Sequence, residues 1–186
     1  GEAFNSLIFG HNHPYARTTT IDDLKAATTH DLLQYHSQYY LNTRTQVILS
    51  GRITPPILAL VKEQLMQLPA SMPSQALEVE PIAPETQHTL IVDKPGALQS
   101  GIRIGQPTIG SNHPDFPLLT MLNLILGGYF GSRLIDNLRE RNGFTYSIFA
   151  SMINMRHAGY LAIATDVGSE VAERAIEEIR REVDLL

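Results

Sequence analysis

Apolar residues recur at helical spacing through the first third of the chain. Thr20 and Asp23 have the spacing of a capping box, which predicts a helix start there, and a second cap is expected at Thr29. The apolar stripe that follows is formed by Leu32, Leu33, His36 and Tyr40. Another helix is predicted from Pro55, since proline is tolerated in a first helical turn, to about Leu68.

Short apolar or alternating runs predict strands on both sides of the middle of the chain. Apolar runs bounded by turn residues predict buried strands, and the alternation after Gly143 predicts a half-exposed strand with an antiparallel neighbour. These strands are expected within residues 44–51 (around Val47–Leu49), 89–92, 101–106, 144–153 and 160–165.

Three helices are predicted in the second half. The first, from about Phe116 to Leu126, is apolar nearly all round and is therefore expected to be buried on most sides. The second has Ser132 as its N-cap and ends at Asn142–Gly143, a natural left-handed C-cap. The third closes the chain with one apolar stripe: Ala172, Ala175, Ile176, Ile179 and Val183.

The order of these elements predicts an α+β fold, with a largely antiparallel sheet covered by helices. Residues 71–85 belong to a stretch rich in proline that has no sustained period, so they are predicted to be a linker. This divides the chain into residues 1–70, the linker 71–85 and residues 86–186. Both ends have the pattern of a cut, and the chain is expected to be a fragment of a longer protein.

Charge and composition exclude several classes of function. The 186 residues carry 14 Lys and Arg against 19 Asp and Glu, a net charge of -5, without a basic cluster. Nucleic acid is therefore not an expected partner. The absence of cysteine excludes a disulfide framework and a thiol nucleophile. The longest apolar stretch is too short to predict a membrane span.

The seven histidines do not have the spacing of a metal site. No two lie four residues apart, none is flanked by Glu, and neither the zincin nor the inverted-zincin signature is present. His11 and His13 precede a proline in a turn-rich stretch, and His113 precedes Pro114 at a helix entry. Local structural roles therefore explain them better than metal binding.

No nucleophile motif or phosphate loop is recognisable either. Ser132 is better explained as a helix cap than as a nucleophile. The glycine-rich stretch with Gly127, Gly128 and Gly131 lacks the lysine of a phosphate loop. Its glycines fit a mobile loop whose bare backbone can approach another chain.

Arg139 and Tyr146 are the candidate binding residues. Arg139 lies near the end of a predicted helix and Tyr146 on the segment after the turn, so the two side chains could lie close together. A guanidinium fork and a phenol hydroxyl can hold a peptide carbonyl. On spacing alone, an ordinary surface arginine and a packed tyrosine explain the pair better.

The same segment resembles the pitrilysin/insulinase-type zinc metallopeptidases, the inverted-zincin family that includes mitochondrial processing peptidase. His13–Tyr15 with the stretch from Thr20 to Tyr40, and Val47–Gly51, are softer matches. The family motif matches at Gly127, Gly128, Ser132, Arg133, Leu134, Leu138, Arg139, Glu140, Gly143, Tyr146 and Ser147.

The resemblance implies a non-catalytic, C-terminal-type domain of a two-lobed zinc metalloendopeptidase. Residues 1–70 would be the later half of a first lobe, and 86–186 the opening half of a second, substrate-facing lobe. The matched positions make Arg139 and Tyr146 substrate-binding residues. No catalytic centre, metal ligand or cofactor is expected in this chain itself, because the zinc motif belongs to an earlier part of the family's first lobe.

The implied partners are a peptide substrate and a zinc-bearing domain, which is either upstream in the same protein or on a separate subunit. The alternative function is a catalytically dead structural or assembly module with the same fold. Exposed apolar surface on incomplete lobes predicts self-association, such as a homo-oligomer. A bacterial periplasmic location would follow the family's tendency, and nothing else in the sequence specifies a compartment.

The spacing of the histidines generates a direct prediction. The purified chain is expected to contain no stoichiometric zinc by elemental analysis, because no histidine pair has ligand spacing. One tightly held zinc ion per chain would contradict this interpretation.

Overall fold

The structure is a computed structural model that describes residues 1–41, 46–67, 88–155 and 158–186. The chain forms two compact units, one of Gly1–Arg17 with Val79–Leu186 and the other of Thr18–Glu78. The predicted linker 71–85 lies outside the described residues. The assignment of the two segments to halves of lobes stays a prediction.

The described residues contain six α-helices and one three-stranded sheet. The helices are α1 (Glu2–Phe9), α2 (Ile21–Ala26), α3 (Thr29–Tyr35), α4 (Pro55–Met66), α5 (Phe116–Asn123) and α6 (Ala172–Asp184). Segments of π-helix follow α3 at His36–Leu41, follow α5 at Leu124–Gly128, and occupy Ile135–Arg141, while Ser169–Val171 is a 3-10 turn. The strands are β1 (Gln99–Thr108), β2 (Ile148–Asn154) and β3 (Gly159–Gly168). No described helix has both the length and the apolar character that crossing a membrane requires.

The sheet confirms the predicted α+β class. Its order is β1-β3-β2 and both pairings are antiparallel, with Ile102 and Ile148 flanking Thr165 of the central strand. The core beneath it joins apolar residues of all three strands to those of α6 and the segment before Arg139. Its buried members are Ile102, Leu126, Leu134, Leu138, Ile148, Ala150, Ile163, Val167, Ala175 and Ile179.

A second, aromatic cluster attaches the first seventeen residues to this unit. The ring of Phe9 meets that of Tyr160 on β3 edge to face at 5.6 Å, and Phe4 meets the same tyrosine at 5.9 Å. Phe9 is almost fully buried. Edge-to-face contacts and burial together explain why α1 belongs to the sheet unit despite its distance in sequence.

The helix caps of the second unit were predicted correctly at one site and one residue off at the other. Thr20 and Asp23 form the expected capping box at α2. The cap of α3 is Thr28, paired with Asp31, rather than Thr29. Adjacent threonines offer the same hydroxyl, and the backbone amide it reaches decides which one caps the helix.

Two predicted strands are wrong. Residues 46–50 and 88–92 have no regular structure, and Ile48 is 90% exposed. An isolated apolar run becomes a strand only when a neighbouring strand pairs with it. No described residue pairs with either segment.

The predicted burial of the first helix in the second half is also wrong. The helix forms as α5 and continues into π-helix, but no α5 residue is buried. One side lies against β2, where Asn123 Nδ2 donates to the Ala150 carbonyl at 3.3 Å. The described residues provide no layer on the opposite side, so these apolar residues stay exposed: Leu118, Met121, Leu122, Leu124 and Ile125.

The capping box of α3 predicts a lowered pKa for the Asp31 carboxyl. Hydrogen bonds from the Thr28 hydroxyl, at 2.7 Å, and from its backbone N–H, at 2.9 Å, hold the pKa of the Asp31 carboxyl below its ordinary value. The cap therefore stabilises α3 fully above the ordinary Asp pKa of about 3.9, and this stabilisation is lost as the pH falls through the lowered pKa.

In an NMR titration of the Asp31 carboxyl carbon, Thr28→Ala is expected to raise this pKa towards its ordinary value. The control is Thr29→Ala, which removes the neighbouring hydroxyl and leaves the pKa unchanged. Equal pKa values in the Thr28→Ala variant and the unmodified chain would contradict the cap assignment.

The sheet core predicts a large stability difference between two helices. Ile179→Ala removes a fully buried side chain and is expected to lower the free energy of unfolding of the sheet unit by about 2–5 kcal/mol. Leu118→Ala on exposed α5 is the matched control, with an effect of about 0.5 kcal/mol or less. Urea unfolding measures both, and equal losses would show that the assigned core is incorrect.

Candidate functional site

Arg139 lies on the π-helical segment Ile135–Arg141, next to the fully buried Leu138. The segment ends as predicted at Asn142–Gly143, where Gly143 has a φ of 62°. The amides of Gly143 and Phe144 return to the carbonyls of Arg139, at 3.2 Å, and of Leu138, at 2.9 Å. This left-handed cap turns the chain at Gly143, four residues after Arg139.

Polar contacts with α6 hold the same helical segment in place. The amide nitrogen of buried Asn137 donates to Glu178 at 2.8 Å and to Glu182 at 2.7 Å. Arg133 binds Glu182 through two nitrogens, at 2.8 and 2.9 Å. Asn142 closes the network by donating to Asn137 Oδ1 at 2.6 Å. Hydrogen bonds to charged groups are stronger than neutral ones, so this network fixes the segment against α6.

Tyr146 stands on a turn that two threonines attach to the sheet. The buried Thr165 hydroxyl on β3 lies 2.9 Å from that of Thr145, which in turn accepts from the Ser147 amide at 3.1 Å. The predicted strand 144–153 therefore starts later, at Ile148, because hydroxyl contacts replace ladder bonds before it. Tyr146 itself is 87% exposed.

The guanidinium of Arg139 and the ring of Tyr146 come together, as the turn between them predicted. The guanidinium carbon lies 5.3 Å from the centre of the Tyr146 ring and 4.9 Å from that of Phe130. Its Nε lies 3.4 Å from a carboxylate oxygen of Glu140. The half-buried cation of Arg139 thus contacts two exposed aromatic rings, one of which carries the phenol hydroxyl.

The glycines at 127, 128 and 131 allow close packing of the turn that carries Phe130. A Cβ at Gly127 would lie 2.6 Å from the Ala150 amide nitrogen on β2, and no adjustment of a side chain relieves such a contact. At Gly128 and Gly131 a Cβ would meet the Leu124 side chain at 3.2 Å and the Tyr129 ring at 2.9 Å. The contact with backbone gives Gly127 a packing role, whereas the side chains nearest to Gly128 and Gly131 could shift to accommodate a Cβ.

The helix begins at Arg133, so Ser132 stands at the predicted cap position, but its side chain makes no capping hydrogen bond. Its backbone carbonyl accepts from the Asp136 amide at 2.9 Å. Its buried hydroxyl, however, has no hydrogen-bond partner among the residues that the structure describes. Ser132 is almost fully buried.

The described residues do not fit a zinc ion. No group of three His, Asp or Glu side chains converges among them. The buried His13 accepts a hydrogen bond from the Tyr15 amide at 3.1 Å and stacks on Phe9, while His113 accepts from the Asp115 amide at 3.1 Å. His157 lies outside the described residues.

Sequence reasoning missed Phe130 and the contacts of Asn137. An aromatic residue inside a glycine-rich turn was a usable signal, because folding gains little from exposing a large ring. Asn137 precedes Leu138 on an otherwise apolar face, and a side-chain amide buried at such a position needs a hydrogen-bond partner. Glu178 and Glu182, four residues apart with like charge, were the matching signal on α6.

Comparison with protein families matches residues 26–186 to the peptidase M16 inactive domain. Two curated relatives are uncharacterized zinc proteases. That of Mycobacterium leprae (strain TN) is 26% identical over 88% of this chain and 37% of its own length, and that of Bacillus subtilis (strain 168) is 25% identical over 91% and 41%. The chain thus spans about two fifths of the length of these curated relatives.

Solved structures have the same fold. The crystal structure of a peptidase M16 inactive domain from Pseudomonas fluorescens aligns with a TM-score of 0.83 at 22% identity, covering 98% of this chain and 44% of that one. A protease from Helicobacter pylori aligns with a TM-score of 0.75 at 21% identity, covering 92% and 43%. Because the family match covers most of the sequence, the chain belongs to the peptidase M16 inactive domain family, and the resemblance to pitrilysin/insulinase-type metallopeptidases is confirmed.

Proposed function

We propose that this domain positions a peptide substrate for hydrolysis at a zinc centre held by another domain or subunit. The observation that carries the proposal is the convergence of Arg139 and Tyr146, whose cation and ring lie 5.3 Å apart, with Arg139 half-buried and Tyr146 exposed. Arg139 would bind the substrate carbonyl by its planar N–H fork, and Tyr146 would add one hydroxyl donor.

Both groups have supports that fit a preorganised binding surface. The segment bearing Arg139 is held against α6 by Asn137, and the turn bearing Tyr146 is held against β3 by Thr165. Donors that are already in place stabilise developing negative charge without reorganising during the reaction. The supports therefore favour carbonyl polarisation over a role as ordinary surface residues.

The metal would come from elsewhere in the assembly. The curated relatives are named zinc proteases, while the residues described here do not fit zinc. A zinc-bearing domain in the same protein and a zinc-bearing separate subunit both agree with this division. In either arrangement the described part of this chain binds and orients the peptide, and activation of water is assigned to the partner.

The proposal is tested by removing each donor in the complete zinc-bearing assembly. Arg139→Ala and Tyr146→Phe are each expected to lower kcat/KM for peptide cleavage, and the double substitution by about 10²–10³-fold, the range for lost oxyanion donors. Tyr146→Phe keeps the aromatic ring and removes only the hydroxyl, so its effect isolates that donor.

The matched control is Arg141→Ala, which removes the same charge two residues away. Arg141 is exposed and pairs with Asp136 at 2.5 Å, so turnover should stay unchanged. Unaltered peptide turnover in the double variant would contradict the proposed role of this domain in positioning the substrate. The alternative, a structural or assembly module that has lost its part in catalysis, would then be favoured.

A further inference from the structure

Phe130 is a large aromatic residue whose presence at this position is not explained by burial of its side chain. It follows Tyr129 in a turn closed by a hydrogen bond from the Ser132 amide to the Tyr129 carbonyl at 3.0 Å. Its side chain is 70% exposed, so burial contributes little to keeping a phenylalanine there. Its distinctive contact is with the guanidinium of Arg139, 4.9 Å from the ring centre.

We propose that Phe130 is a positioning residue for Arg139 in substrate binding. The inference rests on the proposed function and deepens it, because it names the group that orients the binding cation. The rings of Phe130 and Tyr146 both attract the guanidinium through their π faces. Together they restrict a long side chain that would otherwise sample many rotamers before it meets a peptide.

An aromatic support leaves the hydrogen-bond donors of arginine available. A carboxylate that bound two nitrogens of Arg139 would occupy two of its N–H groups, as Glu182 Oε2 does for Arg133. Ring faces occupy none. The polar contact of Arg139 in the described structure is the 3.4 Å approach of Nε to Glu140, so its terminal nitrogens remain open to a carbonyl.

The backbone around Phe130 fixes where its ring can stand. Gly127 brings the preceding segment against β2, since a Cβ there would lie 2.6 Å from the Ala150 amide nitrogen. The turn after it presents Phe130 towards the helical segment that carries Arg139. Close backbone packing on one side and the cap at Gly143 on the other thus set the spacing between ring and cation.

The contact is first tested by NMR on the 186-residue chain, without a partner. A ring over the guanidinium should displace the Nε–H and adjacent methylene proton signals of Arg139 through its ring current. Phe130→Leu keeps apolar bulk and should remove the part of this displacement that the Phe130 ring causes, leaving the part due to Tyr146, while Phe130→Tyr should retain the whole. Phe149→Leu is the control, because Phe149 is a comparably exposed aromatic residue, 51% exposed, on neighbouring β2.

The consequence is tested by peptide turnover in the zinc-bearing assembly. Phe130→Leu should raise KM by about two- to fivefold, the factor equivalent to one exposed cation–ring contact, with a smaller change in kcat. Phe130→Tyr should restore KM, and Phe149→Leu should leave it unaltered. If Phe130→Tyr restores KM, the effect of Phe130→Leu comes from loss of the aromatic ring that orients Arg139 and not from a general loss of packing.

The outcomes distinguish this inference from the function on which it rests. Arg139 signals that do not respond to Phe130→Leu would overturn the positioning contact. Altered signals with unchanged turnover would also overturn it, provided that Arg139→Ala still impairs cleavage. If Arg139→Ala leaves cleavage intact as well, the proposed function itself fails.

Discussion

The candidate site depends on one constraint, the attachment of the segment Ile135–Arg141 to α6. Asn137 is buried and divides its amide hydrogens between Glu178 and Glu182, and Arg133 balances part of the negative charge that this brings together. A buried amide without those acceptors would be costly, so the segment has one favourable position on the helix. The apolar core beneath the sheet provides most of the buried surface, while this hydrogen-bond network fixes the position of the helical segment on α6.

From that position, the two halves of the site follow by different routes. Arg139 projects from the segment because its neighbour Leu138 must point into the core, and the cap at Gly143 then turns the chain back towards the sheet. Tyr146 reaches the same surface because Thr145 binds Thr165 on the central strand. The position of Arg139 thus depends on contacts with α6, and that of Tyr146 on contacts with β3. The two side chains come together without a direct hydrogen bond between them. The two groups are therefore positioned independently of each other.

Local features of the fold were predictable from sequence, and features that depend on remote partners were not. The capping box at Thr20, the left-handed glycine at 143 and the pairing of β2 with β3 involve residues close together along the chain. Val47–Leu49 and α5 have apolar patterns that assume a covering layer, and a pattern does not specify whether that layer is present. In the site, the proximity of Arg139 and Tyr146 followed from one turn, but their interpretation as a binding pair required the family motif. The contact of the Phe130 ring with Arg139 was not predictable from sequence, because it depends on how closely Gly127 approaches β2 in the folded chain.

The threonine pair under Tyr146 also leaves a choice of proton positions. The hydroxyl of Thr145 lies 2.9 Å from the carbonyls of both Ser147 and Asp166, and that of Thr165 lies 2.9 Å from the Ser147 carbonyl and from Thr145. Each hydroxyl has a single hydrogen and two acceptors within reach. The hydrogens can therefore exchange acceptors while both hydroxyls remain bonded. The turn that carries Tyr146 therefore stays attached to β3 in more than one arrangement of these hydrogens.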